Sequence, residues 1–215
     1  MEDEGSMYEA IPIKTKLLMP GDDIVGVAAE CASGVKPDDI LCIAESPLAI
    51  TQKRFYFLSD LKPTWLARIL CRFFSQKGSL STAYGMQAAI NEVGALRILL
   101  AFSVGVMGRL IGRKGWFHAI AGKSVSYIDD ITGTMPPYDK AIILCPVNAK
   151  EIVDLVKERV GCEAAVVDAN DLGKVNILAA TAGVNVDSAI EALRANPAGN
   201  DDEQTPIVIL RKVKE

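Results

Sequence analysis

The last third of the chain constrains its fold most. Between Ala141 and Lys212 six short apolar segments follow one another, and their periodicity switches between strand and helix. Ala141–Cys145 reads as a strand and Ala149–Val160 as a helix with apolar Ile152, Val153, Leu155 and Val156. Ala164–Asp168 and Val175–Ala180 read as strands, Val186–Ala195 as a helix and Pro206–Lys212 as a last strand. The order is β-α-β-β-α-β, the split pattern of ferredoxin-like units. The mixed α+β class follows more securely from this order than the detailed topology does. The expected fold class is α+β, with mixed sheets, packed helices and this C-terminal pattern.

Upstream, Pro20-Gly21-Asp22-Asp23 is a turn, Ile24–Cys31 an apolar helical stretch and Gly34 a helix stop. Asp39–Glu45 carries the continuous apolar run of a strand buried on both faces. The middle reads as helical. Lys62–Phe74 places Trp65, Leu66, Ile69, Leu70 and Phe73 at 3/4 spacing. Gly78-Ser79-Leu80-Ser81 reads as a loop, and Ala88–Ile111 as two helical pieces meeting near Gly94. Aromatic residues make up only 6% of the chain, so the core must come from Ala, Val, Ile and Leu. A length of 215 residues fits one domain, 1–215, with subregions 9–115 and 116–215. Residues 1–8 read as a ragged tail.

Composition removes several function classes. A net charge of −4 and a pI near 5.2 argue against an electrostatic nucleic-acid binder. The single histidine, His118, excludes two-histidine zinc motifs. Five cysteines at wide spacing, with no C-x-x-C, read as small buried hydrophobes in a reducing cytosol. The N-terminus is acidic and lacks the apolar stretch of a secretory signal. The most apolar run, Ile98–Met107, is too short for a bilayer, which needs roughly 20 residues. It reads as a buried helix. The expectation is a cytoplasmic protein with no nucleic-acid and no membrane partner.

Acidic groups gather where turns and strand ends expose them. The clusters are Asp22-Asp23, Asp129-Asp130, Asp168-Ala-Asn-Asp171 and Gly199-Asn-Asp-Asp-Glu203. Carboxylates converging over a sheet suit a hard divalent ion, which takes oxygen ligands and, for Mg²⁺, phosphate oxygens as well. The same residues also serve as solvated turn formers. Neither a P-loop nor a G-x-G-x-x-G is present. The basic, glycine-rich segment Gly108–Gly115 reads equally as an anion clamp and as a helix end matched to its dipole.

These clusters line up with a known family. The chain resembles the coenzyme F420-0:gamma-glutamyl ligases, GTP-dependent enzymes that add glutamate to a deazaflavin precursor. Ile11-Pro-Ile-Lys14 followed by Pro20-Gly-Asp-Asp-Ile24 is similar to the family's "V-P-V-K … P-G-D-D-L". Asp39-Ile-Leu-Cys-Ile-Ala44 resembles its "D-I-L-V-V-A" strand. Ile128-Asp-Asp130 stands where the family has "V-D-E-S-N", and Ile142-Ile-Leu-Cys-Pro146 where it has "L-L-P". Gly199–Arg211 matches "G-Q-A-D-E-G-I-P-V-V-L-V-R" in register and is the most specific of these likenesses.

The resemblance implies that Asp129, Asp168 and Asn200 hold Mg²⁺ or Mn²⁺. It implies nucleotide contacts, with GTP as cosubstrate, from Lys14, Arg54, Thr132, Asn200, Asp202 and Glu203. It further implies small carboxylate and amine substrates, ligation of glutamate to a carboxylate acceptor, and a homodimer. Other positions depart from the family. Its Ser-Lys nucleotide contacts align with Ala49 and Ile50, its "P-E-I" with Lys16-Leu17-Leu18, and the hydroxyl beside the second metal aspartate with Ala169. The "G-R-P-W-R" continuation is missing. The metal carboxylates are thus better kept than the nucleotide contacts. The alternative reading is a catalytically silent member that binds a metal, an anion or another ligand.

Overall fold

A computed structural model describes residues 8–75, 78–129, 136–199 and 203–213. They fall into two compact units. One comprises the described residues up to Lys53 and those from Pro146 onward; the other is Arg54–Cys145. In chain order the first contributes β1 (Tyr8–Ile13), α1 (Ile24–Cys31), β2 (Ile40–Ala44) and α2 (Glu45–Thr51). The second follows with β3 (Phe55–Phe57), α3 (Trp65–Leu70), α4 (Ala83–Val93), α5 (Ala95–Leu110), α6 (Trp116–Ala121), α7 (Lys123–Ser126) and β4 (Ala141–Ile143). The chain then returns to the first with α8 (Ala149–Val160), β5 (Glu163–Ala169), β6 (Val175–Ala180), α9 (Val186–Leu193) and β7 (Ile207–Lys212). The fold is α+β with mixed sheets.

The first unit is built on a five-stranded sheet of order β1-β7-β2-β5-β6. β2 and β5 are parallel, with Ala44 opposite Val167; the other neighbours are antiparallel. Side chains alternate across a strand, so Leu41 and Ile43 face one layer and Ile40 and Cys42 the other. Leu41 and Ile43 join Val25 and Ala28 of α1 and Val153 and Val156 of α8. Ile40 and Cys42 join Ala189 and Leu193 of α9. Both faces of β2 are therefore covered, which is why its sequence is an uninterrupted apolar run. Each fully buried Leu or Ile contributes about 1.5–3 kcal/mol of transfer free energy.

The order β-α-β-β-α-β appears along the chain as the sequence suggests. Its first strand, however, pairs elsewhere. β4 lies antiparallel to β3 in a separate two-stranded sheet, and β2 is the parallel partner of β5.

The second unit is mainly helical. Thr64 caps α3, its hydroxyl accepting from the Ala67 amide at 3.4 Å, and Gln87 receives both the Thr64 amide and hydroxyl at 2.8 Å. Gly94, at φ 87°, ends α4 and starts α5 in a new direction. The small residues Ala101, Gly105 and Gly108 lie on one face of α5. A Cβ at Gly105 would come 3.0 Å from the Phe117 Cβ; one at Gly108 would come 2.9 Å from the Arg113 carbonyl. These glycines let α6 and the turn before it pack directly on the helix backbone. No single helix among the described residues is long and apolar enough to cross a membrane; α4 and α5 pass that test only as a pair, bent by 114°.

Candidate functional site

The described aspartates of the acidic clusters have different local environments. Asp22 accepts from the Lys16 ammonium at 2.8 Å and from the Met19 amide at 2.7 Å. Those two hydrogen bonds, the lysine's foremost, hold its carboxyl below the ordinary range. Asp23 is the N-cap of α1, accepting from the Val25 amide at 3.1 Å. The Gly21 amide ties the same turn to the Thr51 carbonyl at the end of α2. The first cluster is thus a turn and a helix cap.

Asp168 stands near the end of β5, opposite Asn176 of β6, whose amide nitrogen donates to it at 3.1 Å. Asn170 closes the hairpin beyond it by accepting from the Leu172 and Lys174 amides. Asp171 receives the Asn196 side-chain amide at 2.7 Å. Because Ala44 pairs with Val167, the next residues, Glu45 and Asp168, both lie at the carboxyl end of the β2–β5 parallel pair. In α/β sheets that is the end where ligands bind. Glu45 is only 5% exposed and opens the first turn of α2. Its position was foreshadowed only by its place directly after an apolar run, and no spacing rule pairs it with Asp168.

Asp129 belongs to the helical unit. Its backbone forms an isolated antiparallel bridge with Ile143 of β4, N–H to O at 2.9 Å in both directions. That bridge places it beside the β3–β4 ribbon. Arg54, the residue before β3, donates from Nε to the Cys145 carbonyl at 3.1 Å and from Nη2 to Glu92 at 2.5 Å. Glu92 lies 38 residues away in the sequence, so this pairing had no local signal. Lys14 is exposed just past β1. Glu203 folds back over Gly199, where an added Cβ would sit 2.5 Å from its carboxyl carbon. Asp130, Thr132, Asn200 and Asp202 lie outside the described residues. Among the described residues no three His, Cys, Asp or Glu side chains gather in a group fit for a metal ion.

The positions that depart from the family pattern are also placed. Ala49 and Ile50 are buried in α2, at 0% and 5% exposure, and pack as core rather than facing a ligand. Gly108–Gly115 is a helix end. The Arg113 amide reaches the Gly108 carbonyl at 2.7 Å and the Gly112 amide reaches Arg109 at 3.1 Å, with Gly112 at φ 74°. That is a Schellman cap, in which both amides already close the helix.

The family model for F420-0:gamma-glutamyl ligase matches residues 12–195 of this chain. The chain belongs to the F420-0:gamma-glutamyl ligase family. The ligase match includes Lys14, Arg54, Asp129, Thr132 and Asp168. It stops short of Gly199–Arg211, so Asn200, Asp202 and Glu203 lie beyond the part assigned to the ligase family. No curated protein matches the chain.

Proposed function

We propose that this member of the family is a nucleotide- and divalent-metal-dependent amide ligase. Glutamate or a related amine would be joined to a small carboxylate acceptor, with GTP as cosubstrate. Membership of the ligase family over residues 12–195 carries the reading. Aspartates within that span, one at a strand end and one beside a strand, support it.

The donor chemistry fits the implied ion. Carboxylate and amide oxygens are the ligands that Mg²⁺ and Mn²⁺ prefer. The resemblance to the family names Asp129, Asp168 and Asn200 as such oxygen donors. Bound there, such ions would supply positive charge to offset the charge that develops during phosphoryl transfer. Asp168, the next-to-last residue of a strand in the five-stranded sheet, is held by Asn176 rather than left on a long loop. Lys14 would meet phosphate oxygens as a point charge.

The bond changes are those of carboxylate activation. An acceptor carboxylate oxygen attacks the γ-phosphorus, the bond to the bridging β–γ oxygen breaks, and nucleoside diphosphate leaves. The amine nitrogen then attacks the acyl carbon, inorganic phosphate departs, and the nitrogen loses a proton. The substrate amine arriving neutral needs no base from the chain.

Thermal melting with GTP and Mn²⁺, followed by phosphate release on addition of glutamate and a carboxylate acceptor, tests this. The expected result is a metal-dependent rise in melting temperature that Asp129→Asn and Asp168→Asn each abolish. No nucleotide shift with metal present would remove the reading. Ligand binding without ligation is the second reading. Ala49 and Ile50, buried where the family keeps polar nucleotide contacts, favour it, as does the engagement of Arg54 by Glu92. It predicts the same melting shift with no phosphate release over a screen of amines and acids.

A further inference from the structure

One face of the helical unit is apolar and uncovered by the rest of that unit. On α5, Leu96, Leu100, Met107 and Leu110 recur at helical spacing and are 84%, 57%, 62% and 81% exposed. The opposite face of the same helix, with Ile98, Ala101 and Gly108, is buried. A helix apolar on both sides normally has a partner on both. Here α6 covers one side only. The uncovered stripe continues onto the neighbouring segment. Phe73, 55% exposed, touches Phe102 of α5 at 5.2 Å between ring centres, and its carbonyl accepts from Arg109 at 3.2 Å. Ile69 and Trp65, the latter 73% exposed, lie on α3 about one and two turns before Phe73.

The segment that carries this stripe is strongly basic. From Leu61 to Ile128 the chain carries nine Lys and Arg residues and one acid, Glu92, although the whole chain is at −4. Glu92 is itself paired with Arg54. Arg68, Arg72, Arg109, Arg113 and Lys114 are all exposed. Arg113 and Lys114 follow Leu110 and Ile111 after one glycine, just past the end of α5. A cationic rim round an exposed apolar stripe is complementary to a surface that is anionic outside and apolar just beneath. A nucleic acid would match the charge but leave Leu96, Leu100, Met107 and Leu110 facing phosphate. Exposed Trp65 suits the headgroup level, where indole rings collect.

We propose that this face of the helical unit docks on an anionic lipid surface. α5, about 24 Å long at 1.5 Å per residue, lies along the surface with its leucines in the upper acyl layer. The basic residues meet the lipid phosphates. The run that is too short to span a bilayer is long enough to lie on one.

Flotation of the full chain with vesicles tests the proposal. Phosphatidylcholine vesicles are compared with phosphatidylcholine–phosphatidylglycerol vesicles, at low and high salt. Binding is expected only with phosphatidylglycerol and is expected to fall with salt. Arg113→Gln combined with Lys114→Gln should weaken it roughly 30-fold, at about fivefold per basic residue. Met107→Glu with Leu110→Glu should abolish it. All four positions are exposed, so a retained melting temperature confirms that the variants are folded. Failure to bind phosphatidylglycerol vesicles overturns the proposal, and so does binding that neither pair of substitutions changes. A wild-type dimer that Met107→Glu with Leu110→Glu converts to monomer, with no vesicle binding, also overturns it and gives the face to a second copy. Retention by RNA without retention by vesicles is equally a refutation.

Discussion

Asp39 is the most buried charged residue described, at 1% exposure, and it is held at the edge where β2 begins. Its carboxylate accepts from the Lys36 amide at 3.0 Å and from Arg211 Nη2 at 2.9 Å, while Arg211 also reaches the Gly34 carbonyl. The perturbation is Asp39→Asn, which keeps the shape and one acceptor oxygen. Oδ2, which accepts from both the Lys36 amide and Arg211 Nη2, can remain an oxygen, so what is lost is the carboxylate's charge, with the new amide nitrogen at Oδ1, 3.5 Å from Arg211 Nε. Hydrogen bonds to charged groups contribute about 1.5–3 kcal/mol. Breaking a fully buried ion pair costs about 3–5 kcal/mol. The Arg211 side chain is 30% exposed and regains water when its partner is neutral. The expected loss is therefore about 2–3 kcal/mol, or about 5–10 °C in melting temperature for a chain of this length.

The pH dependence identifies the cause. Burial alone would raise the Asp39 pKa; the Arg211 and Lys36 hydrogen bonds outweigh it and leave the carboxyl below its ordinary value. A lowered folded pKa gives stability that is complete above the unfolded value of about 3.9 and lost as pH falls through the folded one. Urea melts of wild type and Asp39→Asn should differ most near neutral pH and converge in acid below that value. Equal stability at neutral pH, or a gap that stays constant into acid, would refute the assignment of the effect to this carboxylate.

Two further outcomes test the packing. Gly108→Ala gains about 1 kcal/mol of helix propensity but brings a methyl to 2.9 Å from the Arg113 carbonyl and 3.0 Å from the Trp116 ring. The backbone carbonyl cannot swing away as a flexible side chain would. Overpacking of about 1–3 kcal/mol should win, measured as a lower melting temperature of the helical unit by near-UV circular dichroism. Burial pushes the Cys42 thiol up to about 12, so it should resist alkylation in native protein at neutral pH and react once urea unfolds the sheet.

The legible parts of the fold are those where a local rule and the tertiary environment agree. Ile40–Ala44 is apolar throughout because both of its faces are covered, and Gly94 marks the α4–α5 break because that corner needs a positive φ. Helix α8 occupies the predicted Ala149–Val160 because its apolar positions keep one face and Gly161 ends it in the left-handed region. Helix α3 starts at Trp65 rather than Lys62, since Pro63 and the Thr64 cap set its beginning, and its last turn tightens to a 3-10 turn over Cys71–Phe73. Helix α2 was hidden because it follows β2 without a break, with Pro47 in the first turn where its missing amide costs little. β3 spans only three residues, too few for a period-two pattern, yet it pairs with β4 in a sheet separate from the main one.

The candidate residues are picked out by residue type and by family motif; their hydrogen-bond partners have no local signal. Acidic turns look alike in sequence whether they cap a helix, as Asp23 does, or end a parallel strand, as Asp168 does. Only the register with β2 separates the two. Arg54 reads as a free cation until Glu92, far along the chain, is found beside it.

The strand order also sets a timetable. β7 lies between β1 and β2, so the strand made last fills the gap between the two made first. During synthesis Ile40–Ala44 must wait, with one hydrogen-bonding edge open, until Ile207–Lys212 has been made. The helical unit, continuous from Arg54 to Cys145, is complete well before then, and at about 5–20 residues per second the remaining stretch takes on the order of ten seconds. The nascent chain thus passes through a stage in which one unit can be folded while the other exposes an apolar edge. Loss of the last strand would strip both β1 and β2 of a neighbour at once.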